Sequence, residues 1–361
     1  MALNFFKIVA LIYFKKILLT INQLLMSFNK KPTVMKKINF IVLLALLSLC
    51  SCNKDDSPTK TSAIDYKEEM RNFVIGISQY AKTSKANFAV IPQNGIELVT
   101  QNGEISGNLS TNYLNAIDGN GQEDLFYGYD NDDVATPTTV INYLKPFLNI
   151  SKNAGNKILA VDYCSTPTKM DNSYNLNASE NYISFSANQR NLNNIPTYPT
   201  TIKNENNSII TNLSQVQNFL YLINLENYTT KTQFINAVTA TNYDALIMDL
   251  YFKDNTIFTP SEINQLKNKA NGGKRIVISY MSIGEAENYR DYWNSTWNSS
   301  KPMWLNAENP NWPGNYKVQY WDKNWQNIIY GNDNSYLKKI LNAGFDGVYL
   351  DIIDAFEYYE N

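Results

Sequence analysis

The 361-residue chain is 44% hydrophobic, balances 31 basic against 33 acidic side chains, and contains no histidine. That balance excludes the basic face of a nucleic-acid binder and the charge excess of a disordered chain. The missing histidine excludes Ser-His-Asp and Cys-His catalysis and the commonest zinc ligand, so Asp and Glu become the default acids and bases.

Residues 1–52 read as a leader. Ile8 to Leu25 is apolar but interrupted by Lys15 and Lys16, and translation is expected to start at Met35. From there, a basic start is followed by an apolar run too short to span a bilayer comfortably and then by small residues, the pattern of a signal peptide. Leu49-Cys50-Ser51-Cys52 resembles a bacterial lipobox, which would make Cys52 the lipidated first residue of the mature protein and its link to the membrane. Asn53-Lys54-Asp55-Asp56 resembles the acidic tag of surface-exposed lipoproteins, so an outer-membrane place in the cell envelope is expected. Residues 53–64 read as a polar tether and 65–361 as one domain. That domain keeps a single thiol, Cys164, which excludes an internal disulfide framework. Cys164 follows an apolar run and is expected to be a packed structural thiol.

Met70, Phe73, Val74 and Ile77 recur at helical spacing and predict a helix over 65–82. Phe88 to Asn94 reads as a buried strand, and further apolar runs predict strands at 114–118, 157–163, 182–187, 219–223, 245–250, 275–281 and 347–352. Helical patterns fall around 138–150, 231–239, 260–271 and 322–343, and Thr259-Pro260-Ser261-Glu262 marks a helix start. Continuous apolar strands indicate a parallel sheet covered on its outer face. A (β/α)8 TIM barrel fits this α/β pattern best, with a doubly wound open sheet as the alternative. No G-x-G-x-x-G turn follows any strand, which weakens a dinucleotide-binding reading.

Barrel enzymes place their chemistry at the C-terminal ends of strands. Here those ends carry Gln93 and Asn94, Glu123 and Asp124, Asp162 and Tyr163, Asp249, Glu285 and Glu287, and Asp351 with Asp354. Any one acid could be a cap or an ion-pair partner, but so many on one face are harder to explain that way. The six tryptophans all lie between Trp293 and Trp325. A packed aromatic subcore accounts for some of them, and a stacking platform for sugar rings could use others.

Several stretches resemble glycoside hydrolase family 114, the endo-α-1,4-polygalactosaminidase family. They are Ile91-Pro92-Gln93-Asn94-Gly95, Gln122-Glu123-Asp124-Leu125-Phe126-Tyr127, Val161-Asp162-Tyr163, Ser282 to Arg290, Asn311-Trp312-Pro313-Gly314-Asn315-Tyr316 and Gly344 to Asp354. The resemblance covers nearly all of 65–361 and implies a (β/α)8 glycosidase acting on an amino-sugar polysaccharide, which the lipobox would anchor to lipid. Their order departs from the family's, in which the strand ending in two aspartates comes before the Met-x-x-Phe-Val helix, so a circular permutation is expected. The family pattern implies Asp351 as nucleophile and Glu123 as general acid and base, the two-carboxylate arrangement of glycoside hydrolysis. Asp354 is the alternative nucleophile or orients Asp351. Asp249, Asp162, Tyr163, Gln93, Asn94, Glu285, Glu287, Tyr280 and Trp321 would bind sugars or support the pair. No cofactor or metal, no nucleic acid and a monomeric state are expected. The alternatives are a non-catalytic surface glycan binder and a glycosidase for another α-linked polysaccharide.

Overall fold

The computed structural model describes residues 64–360, so Met35, Cys50, Cys52 and the tether up to residue 63 lie outside the described residues. Helix α1 (Tyr66–Ser84) starts where the Asp65 carboxylate accepts from the Glu68 amide, and it buries Met70, Phe73, Val74 and Ile77 along one face. β1 (Ala89–Pro92) follows, then α2 (Thr111–Ala116), β2 (Gly119–Glu123), α3 (Thr138–Asn153) and β3 (Lys157–Tyr163). Next come α4 (Pro167–Ser179), β4 (Ile183–Ala187), β5 (Phe219–Tyr221), α5 (Lys231–Thr239), β6 (Ala245–Asp249), α6 (Pro260–Leu266) and β7 (Ile276–Ser282). An excursion through β8 (Glu285–Glu287), β9 (Leu305–Glu308) and β10 (Asn315–Val318) precedes α7 (Lys323–Ile329), α8 (Tyr336–Ala343), β11 (Gly347–Asp351) and α9 (Phe356–Glu360).

Among the described residues, the strands form a five-stranded sheet in the order β1-β11-β7-β6-β5 and a three-stranded sheet β2-β3-β4, both parallel throughout. A third sheet, β8-β10-β9, is antiparallel. Gln93, just past β1, bridges in parallel to Gly121 of β2, and the rings of Phe185 on β4 and Phe219 on β5 lie 5.8 Å apart.

Most elements fall where apolar spacing puts them, and α6 opens on a capping box between Thr259 and Glu262. Four do not. The predicted strand at 114–118 is instead the end of α2 and a connection, and the strand is the polar run Gly119-Asn120-Gly121-Gln122-Glu123. An apolar interior residue has no room there, because a Cβ on Gly121 would sit 2.0 Å from the Tyr349 hydroxyl. Asn120 instead accepts a hydrogen bond from Ser151 of α3. Helix α4 escapes the apolar pattern because its buried face is Met170, Ser173, Tyr174 and Asn177, half of it polar. The helix expected over 322–343 breaks in two around Gly331, which adopts φ 100°. The helix expected to reach residue 271 stops at Leu266, and the chain turns so that Lys269 can reach Asp244 in a fully buried ion pair.

Gly121→Ala is therefore expected to lower stability by about 1–3 kcal/mol, the usual range for overpacking a close-packed interior. Urea denaturation measures it, and an unchanged midpoint would mean that β2 does not depend on this contact.

Candidate active site

β2 and β11 flank β1, and each ends in an acid, Glu123 and Asp351. Side chains two residues apart share a strand face, so Glu123 lies on the face of Gly121 and Asp351 on that of Tyr349. Tyr349 fills the space over Gly121, so both acids project from that shared inner face. Each carboxylate receives one tyrosine hydroxyl. Tyr280 of β7 donates to Asp351 Oδ2 at 2.6 Å, and Tyr163 of β3 donates to Glu123 Oε1. Asn94 Oδ1 steadies the end of β2 by accepting from the Glu123 amide at 3.2 Å and from Gln122 Nε2 at 3.3 Å. Gln93 is fixed by the Tyr221 hydroxyl at 3.0 Å.

These groups line a cavity of about 450 Å³, shared with Asp249, Glu287 and Asp354. A turn brings Asp354 there. Ile352 takes a left-handed conformation, φ 59°, which is rare for a β-branched residue and costs on the order of 1–3 kcal/mol. Gly284 makes the turn possible, since a Cβ on it would lie 2.1 Å from the Ile352 carbonyl oxygen.

The acids differ in what neutralises them. Asp249 and Glu287 both pair with Arg290 at 2.7 Å, and Asp124, next to Glu123, pairs with Arg190 at 3.0 Å. Among the described residues, Glu123, Asp351 and Asp354 have no ion pair. Burial pushes the Asp351 carboxyl up to about 6, although Tyr280 donates to it, and pushes Asp354 up to about 7. Glu123 is raised first by burial and then by the charge of Asp351, with partial relief from Tyr163 and Gln93. The two arginines are unequal. Arg290 is 6% exposed and its loss would strand the buried Glu287 and the half-buried Asp249, whereas Arg190 is 41% exposed, in the range where pairs contribute about 0–1 kcal/mol.

Three residues expected at the substrate lie elsewhere. Asp162 is fully buried and accepts from the Phe126 and Tyr127 amides, Ser173 and Asn177, so its oxygens are committed to holding α4 and the loop after β2. Glu285 is equally buried and accepts from Asn309 and Asn315 in the antiparallel sheet. Trp321 packs against Tyr66 and Tyr359, with ring centroids 5.0 and 4.6 Å away. Cys164 is a buried thiol beside Ser186.

The sequence reading assigned no role to Arg290, Arg190 or Tyr221. Arg290 carries a signal, because it follows Glu287 by three residues at the end of the Ser282–Arg290 stretch. Arg190 carries none. It stacks 3.9 Å from the Tyr163 ring and reaches Asp124, 66 positions away in the chain.

Two carboxyls without cations, facing one cavity at the ends of parallel strands, have the equipment of a glycoside hydrolase. In agreement, residues 202–361 match the family model described as Glycoside-hydrolase family GH114. The match supports glycoside hydrolysis and takes in Asp249, Tyr280, Glu287, Arg290, Asp351 and Asp354, but not Glu123 or Tyr163. The chain is also similar to uncharacterized proteins of Methanocaldococcus jannaschii (41% identical, over 44% of this chain and 43% of that one) and Deinococcus radiodurans (38%, over 35% and 38%). A third, from Thermotoga maritima, is 37% identical over 34% of this chain and 36% of its own. The chain thus spans about two fifths of the length of the curated relatives it matches.

A hydroxyl donating to a carboxylate favours its charged form. Tyr280→Phe should therefore raise the Asp351 carboxyl above about 6. A ¹³C carboxyl titration reads this directly, and an unmoved or lowered midpoint would mean that the hydroxyl does not hold Asp351.

Proposed function

We propose that the protein is a lipid-anchored glycoside hydrolase that cleaves an α-1,4-linked, galactosamine-containing polysaccharide internally, with Asp351 as nucleophile and Glu123 as general acid and base. The observation that carries this reading is the distribution of cations. Asp249, Glu287 and Asp124 are ion-paired with arginine, whereas Glu123 and Asp351 are held by neutral donors, a tyrosine hydroxyl on each among them. A nucleophile tied to a guanidinium would be a poorer one, and a general acid tied to one would lose its proton too early. Burial and then the charge on Asp351 raise Glu123, which lets one carboxyl ionise while the other keeps its proton. Asp351 is preferred over Asp354 because it is the one whose charge acts on Glu123 and the one a tyrosine orients. The unpaired acids also suit a polymer carrying ammonium groups.

We read the two parallel sheets as one (β/α)8 barrel, joined through the Gln93–Gly121 bridge and the Phe185–Phe219 contact. Gln93 sits level with Gly121 on one side and, by continuation of the Pro92–Leu350 pairing, with Asp351 on the other. Glu123 is then two residues beyond Asp351 across two strands. That is the one-residue-per-strand stagger of an eight-stranded barrel of shear 8, and it would set both acids at one height. A circular permutation fits the stacking of Tyr66 on Tyr359, 5.4 Å apart, which brings α1 and α9 together. The lipid anchor at Cys52, and with it an outer-membrane location, rests on the lipobox. Palmitate labelling that disappears in Cys52→Ser is the expected outcome, and labelling that persists would place the anchor elsewhere.

Reducing-end release from purified α-1,4-linked galactosamine polymer tests the activity. Asp351→Asn and Glu123→Gln should each lower kcat by about two orders of magnitude or more, the scale of acid–base and nucleophilic contributions. Activity retained in either variant would remove that residue from the mechanism, and binding without cleavage by the parent would make the protein a glycan binder.

A further inference from the structure

The cavity extends past the two carboxylates to the antiparallel sheet, and Trp312 stands there. The other tryptophans are accounted for by packing. Trp304 and Trp325 are buried with ring centroids 5.2 Å apart, Trp293 and Trp297 continue the same row, and Trp321 belongs to the cluster around Tyr359. Trp312 alone among them is largely in water, at 66% exposure, although it lines the cavity.

Its loop is fixed. The Trp312 amide donates to the Asn309 carbonyl at 3.1 Å, the Asn315 amide donates to the Trp312 carbonyl at 3.0 Å, and the Gly314 amide reaches Glu308 Oε1 at 2.7 Å. Beneath the loop, the buried Glu285 carboxylate accepts from Asn309 at 2.8 Å and Asn315 at 3.3 Å, so one side chain ties both ends of the turn. Tyr289 lies alongside, 46% exposed, with its hydroxyl committed to Glu287 at 2.7 Å and Asn315 at 3.2 Å. Its ring is therefore the part left to contact a ligand. A tryptophan carried in water on a hydrogen-bonded loop beside a polar cavity is a surface for a flat, partly apolar ligand, and the C–H face of a pyranose ring has that character.

We propose that Trp312, with Tyr289 beside it, is a sugar-stacking subsite that holds a ring of the polysaccharide on the antiparallel-sheet side of the cavity and grips acetylated and deacetylated residues alike. This deepens the glycosidase reading and rests on it for the identity of the polymer. Indifference to acetylation follows from the mode of contact. The cavity acids Asp249 and Glu287 are both paired with Arg290, and Glu308 of the loop is engaged by the Gly314 amide. Selection by charge falls instead to Glu123, Asp351 and Asp354. Stacking on the ring face reads neither form of the amino group.

The test uses the full chain with two probes, fully deacetylated and fully N-acetylated α-1,4-galactosamine oligomers. Binding is measured in an Asp351→Asn background and hydrolysis in the parent. Trp312→Ala is expected to weaken binding of both probes about tenfold, roughly 1.4 kcal/mol, with the effect on hydrolysis falling on KM rather than kcat. Trp312→Phe should restore most of the loss, and an unchanged melting temperature shows that the loop is intact. Unchanged affinity in Trp312→Ala, a loss confined to the deacetylated probe, or no binding of either probe by the parent overturns the subsite. Binding of both probes through Trp312 by a parent that cleaves neither keeps the subsite and removes the glycosidase reading. Cleavage that Trp312→Ala leaves untouched does the reverse.

Discussion

Two arginines take up the charge of the acids around the cavity, and neither is paired with Glu123 or Asp351. An ionised carboxylate in a half-enclosed site is costly unless a cation or several hydrogen bonds offset it. Arg290 supplies that offset for Asp249 and Glu287 and so fixes one wall of the cavity. Glu123 and Asp351 each receive a tyrosine hydroxyl, which orients a carboxyl without removing its freedom to gain or lose a proton. Burial raises the proton affinities of both Asp351 and Glu123, and the tyrosine hydroxyls offset it only in part. Replacing either tyrosine contact by an ion pair would fix the protonation state that catalysis has to change.

The backbone bears the cost of placing these groups. Tyr349 occupies the interior between the two acid-bearing strands, and its hydroxyl leaves β2 room for glycine only at residue 121. Ile352 is held in a conformation that β-branched residues avoid, and the close approach of Gly284 keeps it there. Both features lie within two residues of a proposed catalytic acid. Strain tends to persist at such places because the surrounding packing over-determines it.

Much of this was legible in the sequence wherever burial is apolar. β3, β6, β7 and β11 are continuous hydrophobic runs, and α5 spans the 231–239 expected of it. Legibility failed where burial is polar. β2 has no apolar residue, and α4 turns Ser173 and Asn177 inward to satisfy Asp162. The same polar contact that hid α4 made Asp162 look like a sugar ligand, because a strand-end aspartate reads alike whether its partners are buried donors or substrate. Glu285 misled in the same way, since its partners Asn309 and Asn315 arrive from a hairpin that the sequence did not predict. Glu123, Asp351, Asp354, Asp249 and Glu287 were placed on the cavity by strand-end position and family resemblance together. Their division into paired and unpaired acids depends on Arg190 and Arg290, which only the folded chain brings to them.

The most direct measurement is the pH dependence of kcat/KM for cleavage of α-1,4-linked N-acetylgalactosamine oligomers, whose own groups do not titrate near neutrality, by the parent and by Glu123→Gln. The parent should give a bell whose acid limb lies near 6, from ionisation of Asp351, and whose alkaline limb reports loss of the Glu123 proton. The residual activity of Glu123→Gln should keep the acid limb and lose the alkaline one. An alkaline limb that survives in Glu123→Gln would contradict the assignment, because the proton would then come from another group.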